Sequence, residues 1–121
     1  MKPVPQSGSV GHLARGWMMS KLSDRIEAGE YSLGETSDLL GTNELILVMR
    51  TLKGDLTSAE ALHNAVLPGW GYEIGFYINE YQVDVWKQAR QRQLITGLTN
   101  VSAAVAWLAA IVRVFEEKGG G

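Results

Sequence analysis

The apolar positions of this chain follow two rhythms. Through about residue 67 they recur at helical spacing, and between residues 71 and 87 they alternate. Leu22 and Ile26 share one face of a short helix that Gly29 ends. A second helical turn is expected over Glu35 to Leu40. Thr42 or Asn43 then caps a helix carrying Leu45, Val48, Met49 and Leu52, which Gly54 stops. Thr57-Ser58-Ala59-Glu60 has the form of a capping box. It opens a helix with Leu62 and Val66 on one face, ending at Pro68-Gly69.

In the alternating stretch, Tyr72, Ile74, Phe76 and Ile78 interleave with Glu73, Gly75 and Tyr77. Tyr81, Val83 and Val85 interleave with Gln82, Asp84 and Trp86. This predicts two strands, Gly71 to Asn79 and Tyr81 to Lys87. A two-residue loop at Asn79-Glu80 opposes Ile78 to Tyr81, Phe76 to Val83 and Ile74 to Val85, with all three pairs on one face. A third strand is read from Gln93 to Leu98. The last helix runs from about Ser102 to Glu117, with a stripe of Val101, Ala104, Val105, Leu108, Ile111, Val112 and Phe115. Trp107, Ala110 and Val114 widen that stripe to roughly 220° of the helical wheel. The fold class that results is α+β: short N-terminal helices, an antiparallel hairpin or three-stranded sheet, and a long C-terminal helix packed on it.

The ends differ in composition. Residues 1–18 hold Pro3, Pro5, Gly8, Gly11 and Gly16 and few large apolar groups, so they read as a flexible extension. Met18 or Met19 is a plausible alternative start, and residues 119–121 are a glycine tail. A single domain over residues 19–118 is expected. No apolar run reaches the length of a membrane span; the longest, Val101 to Phe115, contains Ser102 and Arg113. Lys2 precedes no signal-peptide core. The formal net charge of −2 supplies no global pull toward nucleic acid or anionic membrane. With no cysteine, disulfides, thiol catalysis and cysteine-ligated metals are excluded.

Candidate chemistry is sparse. The two histidines, His12 in the extension and His63 in a helix, lack the spacing partners of a metal site or a nucleophilic triad, so His63 reads as structural. Pro68-Gly69-Trp70-Gly71-Tyr72 precedes a strand, whereas phosphate loops follow one and open a helix. It reads as a helix stop and an aromatic plug. Asp24, Glu27 and Glu30 lie at helical spacing and are expected to face water, and Glu35 and Asp38 are likewise scattered. Lys87, Arg90 and Arg92 beside Trp86 form the one local basic cluster, suited to weak contact with single-stranded nucleic acid or to a solvated strand end. The Trp107/Val114 edge of the last helix needs a second neighbour, which is either the N-terminal helices or another chain.

Two resemblances follow. Helix, three strands, helix over residues 57–117 is the element order of double-stranded-RNA-binding domains. Those domains carry lysines at the start of the last helix, where this chain has Thr99-Asn100-Val101-Ser102-Ala103-Ala104. The likeness is one of topology alone. The second rests on Met19-Ser20-Lys21-Leu22-Ser23-Asp24-Arg25-Ile26-Glu27-Ala28-Gly29-Glu30, on Val66-Leu67-Pro68-Gly69-Trp70, and on the alanine-rich run Ala103 to Arg113. This wording resembles small phage and prophage accessory proteins of α-proteobacterial type, over residues 19–117. Leu39 to Leu52 departs from the shorter helix of that family. The resemblance implies a phage accessory protein in the bacterial host cytoplasm, with no catalytic residue or cofactor to carry over.

The leading functional reading is therefore a non-enzymatic protein acting by protein–protein interaction or self-association. Its candidate surface is Trp70, Trp86, Lys87, Arg90, Arg92, Trp107 and Val114. The alternative is a small nucleic-acid-binding accessory domain using the Lys87–Arg92 segment.

Overall fold

Helix-end chemistry organises the first half of the molecule. The computed structural model describes residues 21–41, 43–87 and 94–119. Its helices are α1 (Leu22–Glu27), α2 (Leu33–Leu40), α3 (Leu45–Leu52), α4 (Leu56–Val66) and α5 (Ala103–Gly119), and its strands β1 (Trp70–Tyr77), β2 (Glu80–Lys87) and β3 (Ile95–Thr99) lie between α4 and α5. Ser32 caps α2 by accepting from the Glu35 N–H, and Gly41 ends it in the left-handed region. Asp55, not Thr57, caps α4: its carboxylate accepts from the Thr57 N–H at 3.0 Å and the Ser58 hydroxyl at 2.7 Å. A carboxylate two residues earlier accepts from two groups of the first turn at once. Glu44 begins α3 with no side-chain cap bond. Thr42 lies outside the described residues, as do the extension, His12, Gln93 and the end of the glycine tail. Ser102 does not join the last helix but caps it, accepting from the Val105 N–H.

The sheet is antiparallel in the order β1-β2-β3. The hairpin register differs from the expected one by two residues. Phe76 pairs with Tyr81, Ile74 with Val83 and Tyr72 with Val85, and the turn is Ile78-Asn79. A two-residue displacement keeps every side chain on its predicted face. The indole of Trp86 explains the choice. In the observed register it lies over Gly71, where a Cβ would stand 2.6 Å from the ring. The expected register would have put Glu73 there. The turn leaves β-branched Ile78 at φ 55°, a strained conformation for such a residue.

α5 is the centre of the core. Its residues Ala104 to Val112 are buried around the whole circumference, because β2 and β3 cover one side and α1 to α4 the other. Trp107 and Val114, candidates for an exposed contact surface, are 2% and 1% accessible. The N-terminal helices of the same chain supply their second neighbour. At Gly97 the helix and β3 approach so closely that a Cβ would strike the Ala106 carbonyl. Among the described residues no helix is long and apolar enough to cross a membrane.

The acidic residues of α1 do not simply face water. Arg113 of α5 donates to Asp24 at 2.7 Å, to Glu27 at 2.8 Å, to the Ser23 hydroxyl and to the Thr96 carbonyl. Ser23 in turn donates to Glu116. Glu27 also accepts from the Leu98 N–H, and its own carbonyl accepts from the Thr99 hydroxyl. The outer edge of β3 is thereby closed by α1 and Arg113.

Candidate functional site at the free edge of the sheet

The two edges of the sheet are treated differently. On β3, the outward groups include the Leu98 N–H and the Thr96 carbonyl, so the alternate residues Ile95, Gly97 and Thr99 face β2. Their partners Val85, Val83 and Tyr81 point toward β3. The even-numbered residues of β2 therefore bond to β1, and in β1 the main-chain groups of Trp70, Tyr72, Ile74 and Phe76 point away from the sheet. Trp70 fits this assignment. Its N–H donates to the Leu67 carbonyl and its carbonyl accepts from His63 Nε2 at 3.0 Å. The outward N–H and C=O of Tyr72, Ile74 and Phe76 have no hydrogen-bond partner among the described residues. β1 carries no lysine or proline, and among the described residues no helix covers its edge as α1 covers that of β3.

The same three residues send their side chains to the helix side of the sheet, next to Tyr81, Val83 and Val85. α5 lies over β2 and β3 and barely reaches β1. Ile74 is consequently 40% and Phe76 59% exposed, with the Phe76 ring against Tyr81 at 4.8 Å. Between β1 and the start of α4 runs a groove of about 230 Å³ lined by Leu56, Thr57, Glu60, Tyr72, Ile74 and Trp107. That is below the roughly 300–1,000 Å³ of typical small-molecule sites and suits a protruding side chain.

The floor of the groove is tied together by hydrogen bonds and ring contacts. Trp107 Nε1–H donates to His63 Nδ1 at 3.1 Å, so His63 carries its proton on Nε2, the atom that donates to Trp70. The Tyr72 ring packs tilted against Trp107 at 4.3 Å and meets His63 edge-on at 5.1 Å. Its hydroxyl donates to Glu60 at 2.5 Å, which raises the Tyr72 pKa and keeps the phenol protonated. Burial holds the His63 pKa below its ordinary value, so the imidazole is neutral. Both of its nitrogens are engaged, which makes it a scaffold for the groove and not a base or ligand. No cluster of three or more His, Asp or Glu side chains capable of holding a metal occurs among the described residues.

Pairing of Trp70 with Lys87 and Gly71 with Trp86 brings three of the sequence-predicted contact residues to the open end of the hairpin. Trp107 joins them only from below, through His63. Val114 is buried elsewhere on α5, and Arg90 and Arg92 lie outside the described residues. Sequence reasoning missed Leu56, Ile74 and Phe76 as surface groups. Their alternation and helical position signal burial, and nothing local reveals that α5 stops short of β1. Compared with protein-family models, with curated proteins and with solved structures, the chain has no match in any of the three.

Proposed function

We propose that this chain is a non-enzymatic accessory protein of phage type that acts in the host cytoplasm by protein–protein contact, made along the free edge of β1. The observation that carries the reading is the run of main-chain groups at Tyr72, Ile74 and Phe76 that find no partner among the described residues, beside a groove that Tyr72 and Ile74 line. An extended segment laid on such an edge gains ladder hydrogen bonds, while every second side chain enters the groove and sets specificity. The nucleic-acid alternative rests on Lys87 with Arg90 and Arg92. The Trp86 ring that a base would stack on already covers Gly71 with one face.

Photo-crosslinking in bacterial lysate tests the reading. A benzophenone side chain placed at Phe76 should yield a discrete protein adduct, while the same group at exposed Ala65 should not. Ile74→Pro removes an outward N–H without touching the β1–β2 ladder and should abolish the adduct. Equal labelling from both positions, or an adduct that survives Ile74→Pro, would refute the edge as the contact.

A further inference from the structure

We infer that the β1 edge takes an extended segment of a partner protein with a basic residue opposite Glu73 and apolar residues on either side of it; the inference rests on the edge reading above. Charge selects the partner. The hairpin, residues 70–87, carries three carboxylates, Glu73, Glu80 and Asp84, and one cation, Lys87, at the end remote from the turn. Glu60 adds a carboxylate on the inner side, where it lines the groove. The ion pairs among the described residues lie on α1, α2 and the β3 side: Arg25 with Glu35, and Arg113 with Asp24 and Glu27. Glu73 stands directly across from Asp84, a like-charge pair that destabilises the ladder. Asp84 accepts from Thr96 and Gln82. Glu73 is exposed and has no hydrogen-bond or ion-pair partner among the described residues.

Strand addition brings a cation to this carboxylate. The main-chain bonds of the edge are made by Tyr72, Ile74 and Phe76, so a residue laid opposite Glu73 occupies a non-hydrogen-bonded position. In an antiparallel pair such positions hold their Cα atoms about 4.5 Å apart and bring the side chains closest. Opposite charges there stabilise the pair, and like charges oppose it. Two rings flank Glu73 along the same face, the Trp86 indole over Gly71 and the Tyr77 ring over Gly75. A guanidinium pairs with a carboxylate through two N–H groups and also lies on aromatic faces, which makes arginine the fitting probe. The residues on either side of that arginine fall opposite Tyr72 and Ile74 and turn to the inner face. There they meet the exposed Leu56 and Ile74 and the groove between β1 and α4. The segment that fits therefore alternates apolar and basic residues.

Two capped, fluorescein-labelled peptides of about nine residues serve as probes, one alternating valine with arginine and the other valine with glutamate. Fluorescence anisotropy at about 0.15 M salt, where loose surface attraction is screened, reads their binding to the purified protein. The arginine peptide should bind at least about tenfold tighter than the glutamate peptide. Glu73→Lys should weaken its binding about fivefold or more, the effect of reversing one cross-strand charge pair. Glu117→Lys makes the same charge change at the exposed end of α5 and should leave binding within about twofold. A benzophenone at Phe76 should crosslink to the arginine peptide, and one at Ala65 should not. The proposal is overturned if neither peptide binds below about 1 mM, if the two bind alike, or if both lysine variants weaken binding equally. Should it fall while Phe76 still labels a protein in lysate and Ile74→Pro removes that adduct, the edge reading stands and only the partner's chemistry is wrong. A folded Ile74→Pro variant that binds the arginine peptide as the wild type does sinks both. Should Ile74→Pro fail to fold, the Glu73→Lys comparison and the Phe76 crosslink still decide it.

Discussion

His63 shows how much one side chain depends on its neighbours. In sequence it is a lone histidine on a helix; in the fold it has no accessible surface and bonds Trp70 seven residues on and Trp107 forty-four residues on. Burial is the largest influence on its pKa and lowers it, while the Trp70 carbonyl and Glu60 act in the opposite direction. A folded-state pKa below the unfolded value means that the unfolded chain binds more protons in between. The stability His63 contributes is therefore complete above about pH 6.5 and is lost as pH falls below that value. Denaturation midpoints measured from about pH 7 to pH 5 should decline in the wild type, with a slope from this group no steeper than about 1.4 kcal/mol per pH unit. The decline should be shallower in His63→Gln. Identical slopes would mean that the imidazole is not held neutral.

At the scale of elements, contact between α5 and β3 depends on an absent side chain. A Cβ at Gly97 meets helix backbone, which cannot rotate away, whereas one at Gly71 meets the Trp86 ring, which can. Gly97→Ala should thus cost about 3 kcal/mol or more in urea denaturation, and Gly71→Ala clearly less. A reversed order would show that β3 can move off the helix at little cost. Element types followed from local periodicity: the alternation of Tyr72 to Val85 and the stripe of α5 are both strands and helix in the structure. Element details did not. The Ser32-x-x-Glu35 start of α2 was present in the sequence as a capping pattern, and Asp55 stood before the Thr57 box. The hairpin register turned on a glycine under a tryptophan, a contact between strands that no single strand encodes.

Across the whole molecule, Arg113 joins the first helix, the last helix and one sheet edge. Its guanidinium holds Asp24, Glu27, Ser23 and the Thr96 carbonyl, with about a fifth of its side chain accessible. Arg113→Ala should cost about 2 kcal/mol, the range for lost hydrogen bonds to charged groups. It should also speed hydrogen exchange at the Leu98 amide, since Glu27 would lose the cation that positions it. Unchanged exchange at Leu98 would show that α1 closes the β3 edge unaided. Among the described residues the opposite edge has no such device.

The sequence by itself determined the α+β class, the order of the elements and the face each strand residue takes, because these depend on spacing along one segment. It also marked Trp107 and Val114 as needing a second neighbour. Only the tertiary structure decided what that neighbour is, and it is α1 to α4 of the same chain. It likewise decided that Phe76, apolar and in phase with Val83 and Val85, lies beyond the reach of α5. Burial of a residue depends on what the rest of the chain lays over it, and that is a property of packing between distant segments, which periodicity cannot carry.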